Sequence, residues 1–136
     1  MNRDTAHPTS SILRTKLLVP RLPARVIARQ RILDHLGNGP ARKLILVAAP
    51  AGFGKTTALT QWLVERKLDA AWVSLDERDN DPTRFWSYVV AAAQTLHPEV
   101  GATALSMLQA PQPPPVETIL TELVNDLMAA GEDMVL

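Results

Sequence analysis

The sequence contains no cysteine. That excludes disulfides, thiolate nucleophiles and cysteine-ligated metals, and makes a reducing cytoplasm the expected setting. Aromatic residues are scarce, at 4% of 136 positions, so a core must be built from aliphatic side chains. No run approaches the roughly eighteen apolar residues that span a bilayer. The opening MNRDTAHPTSS holds no apolar stretch of the kind that directs export. No membrane partner is therefore expected. Net charge of one sign is also missing, the formal total being zero. What is present is a hydrophobic share of 46%, which argues against disorder, and a length that suits one small domain.

The charges are segregated. Residues 1–43 carry nine bases (Arg3, Arg14, Lys16, Arg21, Arg25, Arg29, Arg31, Arg42, Lys43) against two acids, and the remainder carries five bases against twelve acids. A basic arm ahead of an acidic body can bind nucleic acid or pack on that body. The arm has no dense Lys/Arg block, which favours packing.

Periodicity then orders the chain. Residues 1–11 read as a disordered lead-in, and a lead of residues 1–14 precedes a domain over 15–136. Pro20 and Pro23 exclude a helix interior, and Leu17–Val19 reads as extended. A helix is expected over Val26–Leu36, with Ile32, Leu33 and Leu36 on its inner face, ended by Gly37-Asn38-Gly39-Pro40. Lys43–Ala48 (KLILVA) is continuously apolar, the pattern of a strand covered on both faces. A helix over Lys55–Arg66 and a second strand over Ala70–Leu75 would complete a βαβ unit. Asp81-Pro82 has the chemistry of a helix start, a capping carboxylate before a residue with no N–H to lose. That helix should reach His97, since Pro98 follows. Ala102–Leu108 and Val116–Ala130 read as two more helices, separated by the stiff APQPPP connector. On the last, Ile119, Leu120, Leu123, Val124, Leu127 and Met128 share one face. Met134-Val135-Leu136 has the composition of a strand opening. The expected fold class is α/β: a P-loop NTPase-like parallel sheet flanked by helices, incomplete because the chain stops where a Walker B strand would begin.

Chemistry concentrates in one turn, Ala49-Pro50-Ala51-Gly52-Phe53-Gly54-Lys55-Thr56-Thr57. The phosphate-loop pattern G-x-x-x-x-G-K-[ST] is matched at Gly54, Lys55 and Thr56, and Ala49 replaces the first glycine. A turn between strand and helix can aim main-chain N–H groups at a phosphate, and the helix terminus adds partial positive charge. Gly52 and Gly54 permit close approach and unusual dihedrals. Lys55 supplies a charge for β/γ oxygens and Thr56 a hydroxyl for Mg²⁺, with Thr57 near the α-phosphate. Lys55 and Thr56 are thus the candidate catalytic pair. Thr56 is the candidate metal ligand, and the whole turn is the candidate seat for ATP or ADP. The bland alternative is a glycine-rich turn with an exposed lysine. Asp76, Glu77, Asp79, Asn80 and Asp81 could approach the metal, but as loop acids and a helix cap they read more simply.

Four stretches together resemble the N-terminal part of MalT-like, LuxR-family ATP-dependent transcriptional regulators, of the STAND class of signal-transduction NTPases. They are TKLLVPRLPARVIARQRILDHL, LVAAPAGFGKTTALTQW, AAWVSLDERDNDPTRFWSYVVAAAQ and the last helix leading into MVL. The third is the most distinctive, because it lies outside the generic loop pattern. The resemblance implies that Ala49 is ordinary at its position and that Val26 and Arg29 lie near the adenine. It implies a switch held by ADP or ATP with Mg²⁺, with inducer and DNA bound by parts beyond this chain and self-association in the complete protein. It also implies ATP hydrolysis to ADP and phosphate in the complete protein. Little or no turnover is expected of this chain, which ends before the paired acids for Mg²⁺. Two other functions compete: a small P-loop phosphotransferase or kinase, and a non-catalytic interaction piece with a vestigial loop. The first would need a lid and a catalytic acid or arginine pair, which no segment plainly supplies.

Overall fold

A computed structural model describes residues 12–37, 43–131 and 134–136 of the chain. The lead-in expected over residues 1–11, and Asn38, Gly39 and Pro40 of the first helix stop, lie outside the described residues. Among the described residues five α-helices follow in order: α1 (Gln30–Leu36), α2 (Lys55–Arg66), α3 (Pro82–Ala93), α4 (Ala102–Leu108) and α5 (Val116–Ala130). Two 3-10 turns, Arg14–Leu17 and Glu77–Asn80, sit beside α3.

The expected parallel sheet is not formed among the described residues. Among the described residues the only β pairing is an isolated parallel bridge between Ala70 and Val135, with Ala71 N–H donating to Val135 O at 2.8 Å. Lys43–Ala48 carries no ladder, and its burial shows why its composition misled. Ile45 and Val47 pack against α1 and α2, whereas Leu44 and Leu46 are 83% and 85% exposed. One face is covered instead of two, and a strand without a hydrogen-bonding neighbour is only an extended run. Ala70–Leu75 likewise holds one bridged residue rather than a strand. An apolar cavity of about 270 Å³ lies between these runs, lined by Leu36, Ile45, Trp62, Trp72 and Val135.

Helices carry the architecture instead. α1 begins at Gln30, four residues later than Val26, because Arg29 is not helical (φ −102, ψ 71) and no side chain caps the end. It closes on Gly37 at φ +64, whose N–H returns to Leu33 O at 3.1 Å. Trp62 Nε1 donates to Gly37 O at 2.9 Å and so ties the end of α1 to α2. Leu33, Leu36, Trp62 and Leu63 form the core between the two. α2 spans the expected Lys55–Arg66 and ends on Lys67 in the left-handed region at φ 52.

The second core joins α3, α4 and α5 through Val89, Val90, Ala93, Val100, Ala104, Leu108, Ile119 and Leu123. α3 starts as its chemistry requires: Asp81 Oδ1 accepts from Arg84 N–H at 2.8 Å, and Pro82 opens the first turn. The α-helix ends at Ala93, and turns carry the chain to His97. Met134 packs on this second core while Val135, next in sequence, packs on the first. On α5 the apolar face expected from sequence is too wide: Ile119 and Leu123 are buried, but Val124 and Met128 are 51% and 76% exposed.

Candidate functional site

The loop Ala49–Thr57 stands at the open end of α2. Pro50 O accepts from Phe53 N–H at 3.4 Å, closing a tight turn. Gly52 and Gly54 both lie at positive φ, +82 and +75, where a side chain would be strained. Gly54 is the residue before α2 and is left-handed (φ 75, ψ 28); Lys55 is already helical. A left-handed residue followed by a right-handed one turns successive N–H groups to the same side, making a concave nest for an anion. Among the described residues no carbonyl lies within hydrogen-bond reach of the Gly54, Lys55, Thr56 or Thr57 amides, and the first chain N–H to return is Ala58 to Gly54 O at 2.9 Å. Four donors are therefore available at the end of a twelve-residue helix.

Lys55 does not point away. Its Nζ donates to Ala49 O at 2.6 Å and Pro50 O at 3.0 Å, so the ammonium sits across the loop's base. Arg29 Nη1 donates to Phe53 O at 3.2 Å, which brings α1's leading residue onto the loop. Val26 is half-buried, and Ala49, Pro50, Ala51 and Gly52 are exposed, as is Thr56. Thr57 is half-buried and the Phe53 ring is 60% exposed. Nothing would block a group above either glycine, since a Cβ added at Gly52 or Gly54 meets no atom within 4 Å. The donor set suits a polyphosphate: amides in a nest, an ammonium and a hydroxyl, with no carboxylate among them. For Mg²⁺ the loop offers Thr56 Oγ1 alone, and among the described residues no group of three or more His, Asp or Glu is arranged to hold a metal.

Asp76, Asp79 and Asp81 are committed elsewhere, Asp81 to the α3 cap expected of it and the other two to an ion-pair cluster whose members sequence reasoning did not identify. Lys16, on the first 3-10 turn, is buried, and its Nζ donates to Asp79 Oδ2 and pairs with Asp76 at 2.9 Å. Asp79 also accepts from Arg84 Nε at 2.9 Å and from Asp76 N–H at 2.8 Å. The arm is fastened further by Ser74 N–H to Lys16 O at 2.8 Å and Leu13 N–H to the Tyr88 hydroxyl at 3.2 Å. Lys16 and Arg84 both lie over the fully buried Tyr88 ring, at 5.0 and 5.5 Å from its centroid. The Lys16 ammonium and the Asp76 N–H hold the Asp79 carboxyl down at about 2. Arg78 and Lys16 lower Asp76 below the usual carboxylate range, and Asp79 in turn raises Lys16. Asp76 and Asp79 are thus structural anions that neutralise Lys16 of the arm together with Arg78 and Arg84. The only sequence signal was the surplus of bases in the arm facing a surplus of acids beyond it.

No family model matches the chain. It is homologous to proteins described as HTH-type transcriptional regulator MalT: 34% identical over 116 residues to that of Klebsiella pneumoniae, covering 85% of this chain, and 35% over 118 residues to that of Cronobacter sakazakii, covering 87%. The Vibrio cholerae protein is 44% identical over 78 residues, 57% of this chain. The chain spans 13% of the length of the first two relatives and 8% of the third.

Proposed function

We propose that this homologue of MalT transcriptional regulators is a nucleotide-binding module of such a regulator, seating the phosphates of ATP or ADP on the loop Ala49–Thr57. The amide nest that Gly54 opens ahead of α2 carries the reading. An anion held there would meet the Gly54–Thr57 amides and the helix terminus together, which is how helix ends bind phosphate elsewhere. Lys55 Nζ would exchange two neutral carbonyls for phosphate oxygens, a stronger, charge-assisted contact. Thr56 would offer its hydroxyl to Mg²⁺, the phosphates and water supplying the other ligands. Val26, half-buried ahead of α1, would face the base.

Hydrolysis requires a group that orients water and further ligands for the metal. Asp76 and Asp79 do not meet that need, being bound to Lys16 and Arg84. The module therefore reads as a binder, with turnover, inducer, DNA and self-association belonging to a whole regulator in a cytoplasmic setting. Calorimetric titration with Mg-ATP tests this directly. Lys55→Ala should abolish measurable binding while leaving the melting point near that of the wild type. Undiminished affinity in Lys55→Ala would remove the phosphate assignment.

A further inference from the structure

We infer that Arg29 is a positioning residue for the phosphate seat, acting through the Phe53–Gly54 peptide rather than on the ligand. The inference rests on the reading that the loop holds phosphates. The peptide is trans, so the Phe53 C=O and the Gly54 N–H point in opposite directions. Arg29 Nη1 holds that carbonyl at 3.2 Å and so directs the Gly54 N–H to the far side, away from the guanidinium. This N–H is the first donor of the nest.

Little else holds the peptide in place. Phe53 lies between two glycines at positive φ, residues that rotate freely. Phe53 is 60% exposed, and its own N–H makes the long 3.4 Å bond to Pro50 O. The Arg29 backbone in contrast is tied to α1. Its carbonyl accepts from Ile32 N–H at 2.8 Å and Leu33 N–H at 3.2 Å, fixing it to the start of α1. Leu33 and Leu36 pack on Trp62 and Leu63 of α2. The helix that carries the clamp and the helix that carries the seat are therefore one packed pair. Arginine suits the task because its guanidinium is always charged and presents fixed donors.

The test compares wild type, Arg29→Met and Arg29→Lys, isotopically labelled, in titrations with Mg-ATP, Mg-GTP and tripolyphosphate. Arg29→Met should weaken all three by a similar factor, about three- to tenfold, the scale of one ordinary hydrogen bond lost at an exposed site. Arg29→Lys keeps a charged donor and should retain most of the affinity. Without ligand, Arg29→Met should shift the Phe53 carbonyl carbon and Gly54 amide resonances, with circular dichroism confirming a fold like the wild type's. A loss confined to one nucleotide would mean that Arg29 touches the base, and equal affinities with unmoved resonances would mean that it holds nothing; either overturns the inference. Failure of the wild type to bind any of the three would sink the phosphate reading instead, and the ligand-free resonances would still decide whether Arg29 holds the peptide.

Discussion

Gly101 links α3, α4 and α5, and replacing it with alanine separates two physical effects that usually arrive together. Gly101 lies at φ +74, just ahead of α4, and its N–H donates to Asp126 Oδ2 on α5 at 2.9 Å. A Cβ placed there would stand 2.7 Å from Val90 Cγ1 and 3.1 Å from Leu123 Cδ1. Neither neighbour can withdraw cheaply. Val90 is fully buried and β-branched, with a restricted χ1, and Leu123 is 4% exposed in the same core. The left-handed backbone contributes about 1–2 kcal/mol of destabilisation, and overpacking a dense core adds about 1–3 kcal/mol. Gly101→Ala should therefore cost about 2–5 kcal/mol in total, a large part of the stability of a small domain. Gly131→Ala supplies the control. Its φ is +69, but an added Cβ there meets nothing nearer than Ala129 O at 3.9 Å, so only the backbone effect of about 1–2 kcal/mol remains. Urea unfolding followed by tryptophan fluorescence should place the Gly101→Ala midpoint about 0.7–2 M below that of Gly131→Ala, at an m-value of roughly 1.5 kcal/mol/M. Coincident midpoints would refute the reasoning, showing that Val90 and Leu123 make room without penalty.

Removing the cap of α3 with Asp81→Ala should lower stability by about 1 kcal/mol, read from the same unfolding curves, since it releases the Arg84 N–H bond at 2.8 Å. Acidification tests the clasp between arm and body. Asp79 is held at about 2 when folded, below its ordinary value near 4, so its stabilisation is present at neutral pH and lost as pH falls from about 4 through about 2. Lys16→Met removes the principal cause, so that variant should unfold at lower urea than wild type at pH 7, and the gap should narrow by pH 2.5; a gap independent of pH would contradict the assignment. The loop glycines should part from the core glycines: Gly54→Ala should abolish Mg-ATP binding while costing only about 1–2 kcal/mol of stability, because its added Cβ meets nothing.

The helices were legible because each is written locally. Asp81 and Pro82 specify a start, Gly37 and Gly131 permit left-handed stops, and the 3.6-residue spacing of Leu59, Trp62 and Leu63 marks a face. Those signals act within a few residues and do not depend on what the rest of the chain does. The turn ahead of α2 was legible as a place where positive φ is permitted, and Gly52 and Gly54 both take it. Lys16 was not. Nothing near it in sequence marks it for burial, and its partners Asp76 and Asp79 lie about sixty residues away.

By itself, then, the sequence determined that the helices exist and roughly where they lie, the glycine freedom around Lys55 and the surplus of bases that the acidic body would have to meet. Tertiary structure decided which of those bases is buried, which acids receive it and whether an apolar run becomes a strand. Lys43–Ala48 is apolar enough to be covered on both faces, yet Leu44 and Leu46 face solvent. The physical reason is that a helix satisfies its backbone hydrogen bonds from within, while a strand needs a neighbour, and the sequence of one segment cannot say whether a neighbour is there.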